Sequence, residues 1–278
     1  MSRASAEINL SAIADNLKFI KSKTNAQVLA VVKADAYGHG LLPVARAAQD
    51  AGADWLGTAL LEEAITLRNG GITKPIIAWL TPMGEDFKDA INLDIDLSIS
   101  STELLNEIVL AGKSVKKIPR VHIEVDTGMS RGGVGDDWQI FLEKLSISAK
   151  NNEINIVGIW SHFARADEPD EGMNKEQLNV FEDRINSATA AGIKAEFIHI
   201  ANSAASLTIK SAHKSIIRWG IGLYGLSPDI NNLGDSKSLY LKPAMRLKAK
   251  LHLVKAVKAG VSVGYGGTAA AKSDTKLG

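Results

Sequence analysis

The 278-residue chain contains no cysteine. Neither a disulfide framework nor a thiolate metal site can be built without it, and nothing points to an oxidising compartment. A cytoplasmic setting is the expectation. An excess of one charge is also missing, since 32 Lys and Arg stand against 31 Asp and Glu. No net field then draws the chain to nucleic acid or to an anionic membrane surface, and a small-molecule partner is expected instead. The amino terminus, MSRASAEINLSAIADNL, is polar and acidic early, without the apolar run of a signal peptide. No later window is long and apolar enough to span a bilayer. What the chain does have is 45% hydrophobic residues, enough over this length to bury a large core in one domain or one and a fraction.

Short β-branched runs alternate with longer amphipathic stretches, and no low-complexity linker intervenes before about residue 227. The runs predict strands over Val28–Val32, Trp55–Thr58, Ile76–Leu80, Ile95–Ser98, Arg120–Val125, Ile154–Trp160, Glu196–Ile200 and Ile216–Gly222. Most are followed by a helical pattern, several of which end in the glycine that helix termini favour. Eight successive β-then-α units imply an α/β fold in which a parallel sheet closes into a (β/α)8 TIM-type barrel. A helix over Ser11–Lys21 precedes the first strand. After Ser227 the pattern changes, and LKAKLHLVKAV alternates as a half-buried antiparallel strand does. The expected division is a barrel over residues 1–227 and the start of a β-rich domain over 228–278.

Active sites of such barrels lie on the loops after the strands, and reactive residues recur there. Lys33 follows the first strand, Arg131 the fifth, His162 the sixth, Asn202 and Ser203 the seventh, and Arg218 to Ile221 lie within or just after the eighth. Lys33 ends an apolar strand in AVVKADAYGHG, where the following glycines let the backbone turn sharply. Desolvation lowers a lysine pKa, and only the neutral amine forms an imine with an aldehyde or acts as a base. By position alone Lys33 reads more readily as a lysine snorkelling into water, His162 as a structural histidine, and Asn202 and Ser203 as turn residues.

The string VVKADAYGHG resembles the cofactor-attachment motif of the alanine racemase family. The resemblance continues in order through HIEVDTGMSRGG, SHFARADE, ANSAAS, RWGIGLYGL and VSVGYGGT. It implies that Lys33 holds pyridoxal 5'-phosphate through an imine, with the Tyr37 hydroxyl at its phosphate. Ser203, beside Asn202, matches a phosphate ligand that acts with the backbone N–H groups of Gly220 and Ile221. His162 resembles the histidine beside the pyridine ring, and Arg218 the arginine that faces the ring nitrogen. A guanidinium donates to an unprotonated ring nitrogen, which leaves the ring a weaker electron sink and favours return of the proton to the α-carbon over transamination.

Racemisation needs two bases on opposite faces of a planar intermediate. Tyr265, in GYGGT, matches the second base, which in the family acts across a homodimer interface in the partner's site. An ordinary phenol, with a pKa of about 10, holds its proton too tightly for that work at pH 7, so the resemblance demands nearby cations. Arg131 looks like the arginine that contacts the substrate carboxylate. At the position of Glu124 many relatives carry a carbamylated lysine, so a direct Glu124–Arg131 pair is expected, independent of carbon dioxide. Alanine is the implied substrate, with D-alanine supplied for peptidoglycan. Family members continue for roughly a hundred residues beyond SDTKLG, so a C-terminally truncated member is expected. The rival readings are a single-barrel cofactor-binding protein without turnover, a racemase of broader specificity, and a barrel-fold amino-acid decarboxylase. Arg218 disfavours the last, which wants a carboxylate at the ring nitrogen.

Overall fold

β-Branched and apolar runs too short for helices form the strands of the computed structural model, which describes residues 3–168 and 172–278. The first, β1 (Ala4–Ile8), stands apart from the eight that follow: β2 (Gln27–Val31), β3 (Trp55–Thr58), β4 (Ile76–Ala78), β5 (Asp96–Ile99), β6 (Arg120–Glu124), β7 (Asn155–Trp160), β8 (Phe197–His199) and β9 (Ile216–Trp219). These eight are all parallel, each paired with the next from β2 to β8, and β9 returns to pair with β2. The two free ends of the sheet are joined by backbone hydrogen bonds from Ser215 N to Ile198 O and from Arg218 N to Ala201 O, both 3.0 Å. The result is a nearly closed (β/α)8 barrel. The strands lie within two residues of where the β-branched runs predict them, except that the last stops at Trp219 rather than Gly222. Beyond Gly220 the chain tightens into a 3-10 turn over Ile221–Tyr224.

A large apolar cluster lies between strands and helices, and a separate smaller one of Leu29, Val31, Trp55, Ile77, Val157 and Ile216 fills the barrel. The helix Leu10–Lys21 begins where Asn9 accepts a bond from Ala12 N at 3.2 Å, and it buries Ala12, Ile13, Asn16, Leu17 and Ile20, one stripe at helical spacing.

The compact unit that contains the barrel spans residues 9–244, so its edge lies beyond the expected boundary at residue 227. The reason is polar as well as apolar. Asn16 Nδ2 donates to Leu223 O and Lys242 O, its Oδ1 accepts from Lys242 N, and Leu241 and Ala244 are buried.

The second unit joins residues 1–8 to 245–278. Here β1 pairs antiparallel with β10 (Met245–Ala249), β11 (Lys255–Val257) with β14 (Thr275–Leu277), and β12 (Ser262–Val263) with β13 (Ala269–Ala270). LKAKLHLVKAV is therefore not one half-buried strand but two short ones separated at residues 250–254, and Leu247, Leu251 and Leu253 are exposed. Sheets of two strands have too little surface to bury a face. Among the described residues, no helix is long and apolar enough to cross a membrane.

Candidate active site

A cavity of about 990 Å³ opens among the loops that follow the barrel strands. Its walls bring together Lys33, Tyr37, Glu124, Arg131, His162, Asn202, Ser203, Arg218, Gly220 and Ile221, every site residue expected from the barrel sequence. Tyr265 is not a residue of the barrel unit. It begins a short turn, Tyr265–Gly267, after Gly264, and its ring is fully exposed.

Lys33 is separated from the end of β2 by a single residue, the buried Val32. Burial, then the charges of Arg131 and Arg218, lower the pKa of its amine, and Glu63 opposes them. The turn after it is not made by glycines, as the sequence suggests, but by Ala34, Asp35, Ala36 and Tyr37, all left-handed with φ between 51° and 53°. L-residues adopt that conformation at a cost of roughly 1–2 kcal/mol each. It is held by Asp35 Oδ1 accepting from Leu41 N at 2.7 Å, by Asp35 N donating to Glu63 Oε1 at 3.3 Å, and by Ala36, fully buried. One left-handed turn beyond Lys33, Tyr37 lies against Tyr224, whose hydroxyl donates to Val31 O at 2.9 Å.

Ser203, Gly220 and Tyr37 form a cradle. Ser203 Oγ accepts from Gly220 N at 2.9 Å and Gly222 N at 3.3 Å. A Cβ on Gly220 would sit 3.4 Å from Tyr37 Oη and 3.7 Å from Ser203 Oγ, so only glycine keeps that space open. Asn202 serves this arrangement structurally, because its Oδ1 caps the helix Ser203–Thr208 by accepting from Ala205 N at 3.0 Å.

Arg218 is buried at the cavity floor, where its Nη2 donates to Ser161 O and Ile200 O at 2.8 and 3.0 Å and also lies 2.9 Å from His162 Nδ1. Burial lowers its pKa to about 9, against the field of Glu124, so it remains cationic at pH 7. A guanidinium has no acceptor, so His162 Nδ1 must carry a lone pair. Burial and the charges of Arg218, Arg131 and Lys33 push the His162 pKa well below the ordinary histidine range. His162 is therefore neutral, with its remaining proton on Nε2.

Glu124 and Arg131 share the cavity, yet Arg131 acts on Glu124 only through its charge and no direct ion pair joins the two side chains, a departure from the sequence expectation. Arg131 is exposed on a loop ordered by Asp126, whose Oδ1 accepts from Gly128 N and Ser130 N. Glu124 senses Arg131 only through its field. Burial outweighs that field and raises its pKa to about 7. Sequence reasoning also passed over Trp79 and Trp160 in the cavity wall, and Tyr224 beneath Tyr37. Their aromatic character within apolar strands reads as core.

A lysine at a strand end, a guanidinium on the floor and an anion-sized cradle at the strand C-termini define a barrel enzyme of the cofactor-dependent kind. The family model for the N-terminal domain of alanine racemase matches residues 8–228. An alanine racemase from Salinispora arenicola is 41% identical over 278 residues, all of this chain and 73% of that protein. One from Thermobifida fusca is 43% identical over 265 residues, 95% of this chain and 70% of that protein. The crystal structure of alanine racemase from D-cycloserine-producing Streptomyces lavendulae superposes with a TM-score of 0.94 at 40% identity, covering 99% of this chain and 72% of that one. This chain belongs to the alanine racemase family, whose members are pyridoxal-phosphate-dependent isomerases. Because the likeness runs through both units, the single-barrel binding protein is not favoured.

Proposed function

We propose that the chain racemises alanine with pyridoxal phosphate held by Lys33, with Lys33 and Tyr265 as the two bases, Tyr265 acting in the partner site of a homodimer. The observation that carries this reading is the convergence of a depressed lysine, Arg218 and the Ser203–Gly220–Tyr37 cradle on one cavity. The cofactor fits these residues. Ser203, Gly220 and Ile221 with Tyr37 would hold its phosphate. Arg218, whose Nε makes no bond to the described residues, would donate to its ring nitrogen. When bound, the cofactor supplies an electron sink that acidifies the substrate α-carbon.

The neutral amine of Lys33 can take a proton from one face of that carbon. Tyr265 would deliver one to the other, and its complete exposure leaves its hydroxyl free for a second subunit. Arg131, exposed yet lining the cavity, would bind the substrate carboxylate. An alanine racemase structure from Bacillus anthracis with bound L-Ala-P, 31% identical with a TM-score of 0.84, supports alanine as the substrate. The same reading carries the family's cytoplasmic setting and D-alanine for peptidoglycan as its product. The test is an absorbance spectrum of the chain with added pyridoxal phosphate, then an assay for interconversion of L- and D-alanine. The lysine-bound band is expected, and to vanish in Lys33→Ala. Absence of the band in the unaltered chain would refute the reading.

A further inference from the structure

Behind Arg218 the barrel holds a line of buried polar groups with no place in the chemistry above. Arg218 Nη1 is 3.3 Å from His199 Nδ1, His199 Nε2 is 3.0 Å from His122 Nδ1, and His122 Nε2 is 3.0 Å from Asp96 Oδ2. Arg120 closes the far end, its Nε 2.5 Å from Asp96 Oδ1 and its Nη2 3.1 Å from Oδ2. Arg218, His199, His122 and Asp96 come from four different strands and are all buried. Only Arg120 reaches solvent, at 34% side-chain exposure.

The two ends dictate where every proton in this line sits. A guanidinium can only donate, so His199 Nδ1 must accept and its proton must be on Nε2. That proton faces His122 Nδ1, which must accept in turn, so the His122 proton is on Nε2 and points at Asp96. An ionised carboxylate can only accept, so the other end demands the same direction. A second proton on either ring would set N–H against N–H. Burial, then Arg218, push the His199 pKa well below the ordinary range, as a neutral ring requires.

Packing holds both rings in plane. Trp160 stacks on His199 at 6.1 Å and 10° and lies beneath the Arg218 guanidinium at 5.3 Å, while Trp55 meets His122 edge-on at 5.6 Å. The β6–β7 register slips between Val121 and His122, opposite Gly158. A Cβ at Gly158 would collide with the His122 ring, so the slip and the glycine together admit the imidazole.

We propose that Asp96, acting through the neutral imidazoles of His122 and His199, is a positioning residue that fixes the plane in which Arg218 presents its remaining N–H groups to the cavity. The charge of Asp96 is balanced by Arg120, so what passes along the line is direction. Without an acceptor at 96 the order is held from the Arg218 end alone, across the longest contact of the line, 3.3 Å from Nη1 to His199 Nδ1, and His122 can carry its proton on Nδ1 at the expense of that contact. It would then oppose the His199 Nε2 proton, His199 would shift its own to Nδ1, and that proton would face Arg218 Nη1. The Nη2 bonds to Ser161 O and Ile200 O would keep Arg218 in place, but its plane would turn. That this plane governs turnover rests on the racemase reading, whereas the proton order does not.

The first test is a long-range proton–nitrogen correlation spectrum of the full chain with ¹⁵N-labelled histidine. His122 and His199 are both expected neutral with the proton on Nε2. A proton on Nδ1 of either, or on both nitrogens, overturns the proposal whether or not the protein racemises alanine. The second compares Asp96→Asn with Asp96→Leu as holoenzymes. The asparagine carbonyl still accepts from His122, and Arg120 can turn to water. Its tautomers are expected to hold, with kcat within about threefold of the parent. The leucine variant is expected to mix tautomers and lose about tenfold to a hundredfold in kcat, the scale of a misplaced catalytic group, with KM for alanine within about twofold. A folded leucine variant of undiminished kcat, or an asparagine variant as impaired as the leucine one, would sink the idea. Should the leucine variant fail to fold, the parent and asparagine spectra still decide it.

Discussion

Residues 9–244 bury Ile13, Leu17, Phe181 and Trp219 completely, whereas among the described residues of 1–8 and 245–278 none is buried. Leu247, Leu251, Leu253 and Val254 in the smaller unit are 54% to 78% exposed. Both regions carry apolar residues at regular spacing, so periodicity alone does not separate them. The difference is what lies opposite each apolar face. A barrel strand meets helices on one side and seven other strands on the other, while each strand of the smaller unit has one ladder partner. Ion pairs such as Lys248–Glu7 and Lys258–Asp274 link its strands, and at such exposure they add little. The hydrophobic contribution to stability is therefore concentrated in the barrel, and in the proposed mechanism the smaller unit bears on function through Tyr265.

The sharpest way to break this comparison is Tyr265→Phe. We expect turnover to fall by about 10²-fold or more, the range of a lost acid–base group. The denaturant midpoint should stay put, because the ring is fully exposed. Equal turnover would remove Tyr265 from the mechanism. Next in size, Phe181→Ala in the helix Gly172–Ala190 should cost about 3–5 kcal/mol. Leu251→Ala should lie within about 0.5 kcal/mol of the parent. Urea titrations of the two would erase the contrast if both proved equally damaging.

Glu124 provides a third test. Its folded pKa, about 7, lies above the ordinary value of 4.5, so the folded state binds the extra proton between them. The stabilisation is full below the ordinary value and is lost as pH rises through about 7. The loss approaches about 3 kcal/mol. Glu124→Gln should flatten that slope between pH 5 and 8, and parallel curves for parent and variant would show that the carboxyl titrates normally. The smallest effect is expected from Ala34→Gly. It relieves left-handed strain of roughly 1–2 kcal/mol but frees the unfolded chain by about 0.4–1 kcal/mol. A net gain of about 0.5 kcal/mol should appear as a slightly higher melting temperature, and a decrease would place the value of Ala34 elsewhere.

Much of the site was legible because barrel chemistry sits at strand ends, where a lysine, histidine or arginine closing an apolar run stands out. Lys33, His162 and Arg218 stand out that way, Ser203 only through its motif, and all four share one cavity. Glu124 and Arg131 were also found, yet their side chains do not meet, because motif spacing places two backbones near each other without aiming what they carry. Asp96, His122 and His199 went unnoticed for the opposite reason. Each is a polar residue flanked on both sides by apolar ones, 26 and 77 positions from its partner.

By itself the sequence determined the eight-strand order, the strand-end residues and the family, since these follow from local periodicity and contiguous motifs. Only the tertiary structure decided the left-handed turn after Lys33, the extension of the barrel unit to Ala244, and the line of protons from Arg218 to Asp96. Each depends on which atoms face one another after the ring of strands has come together. A β6–β7 register slip of one residue, which no local pattern records, sets where His122 meets its neighbours.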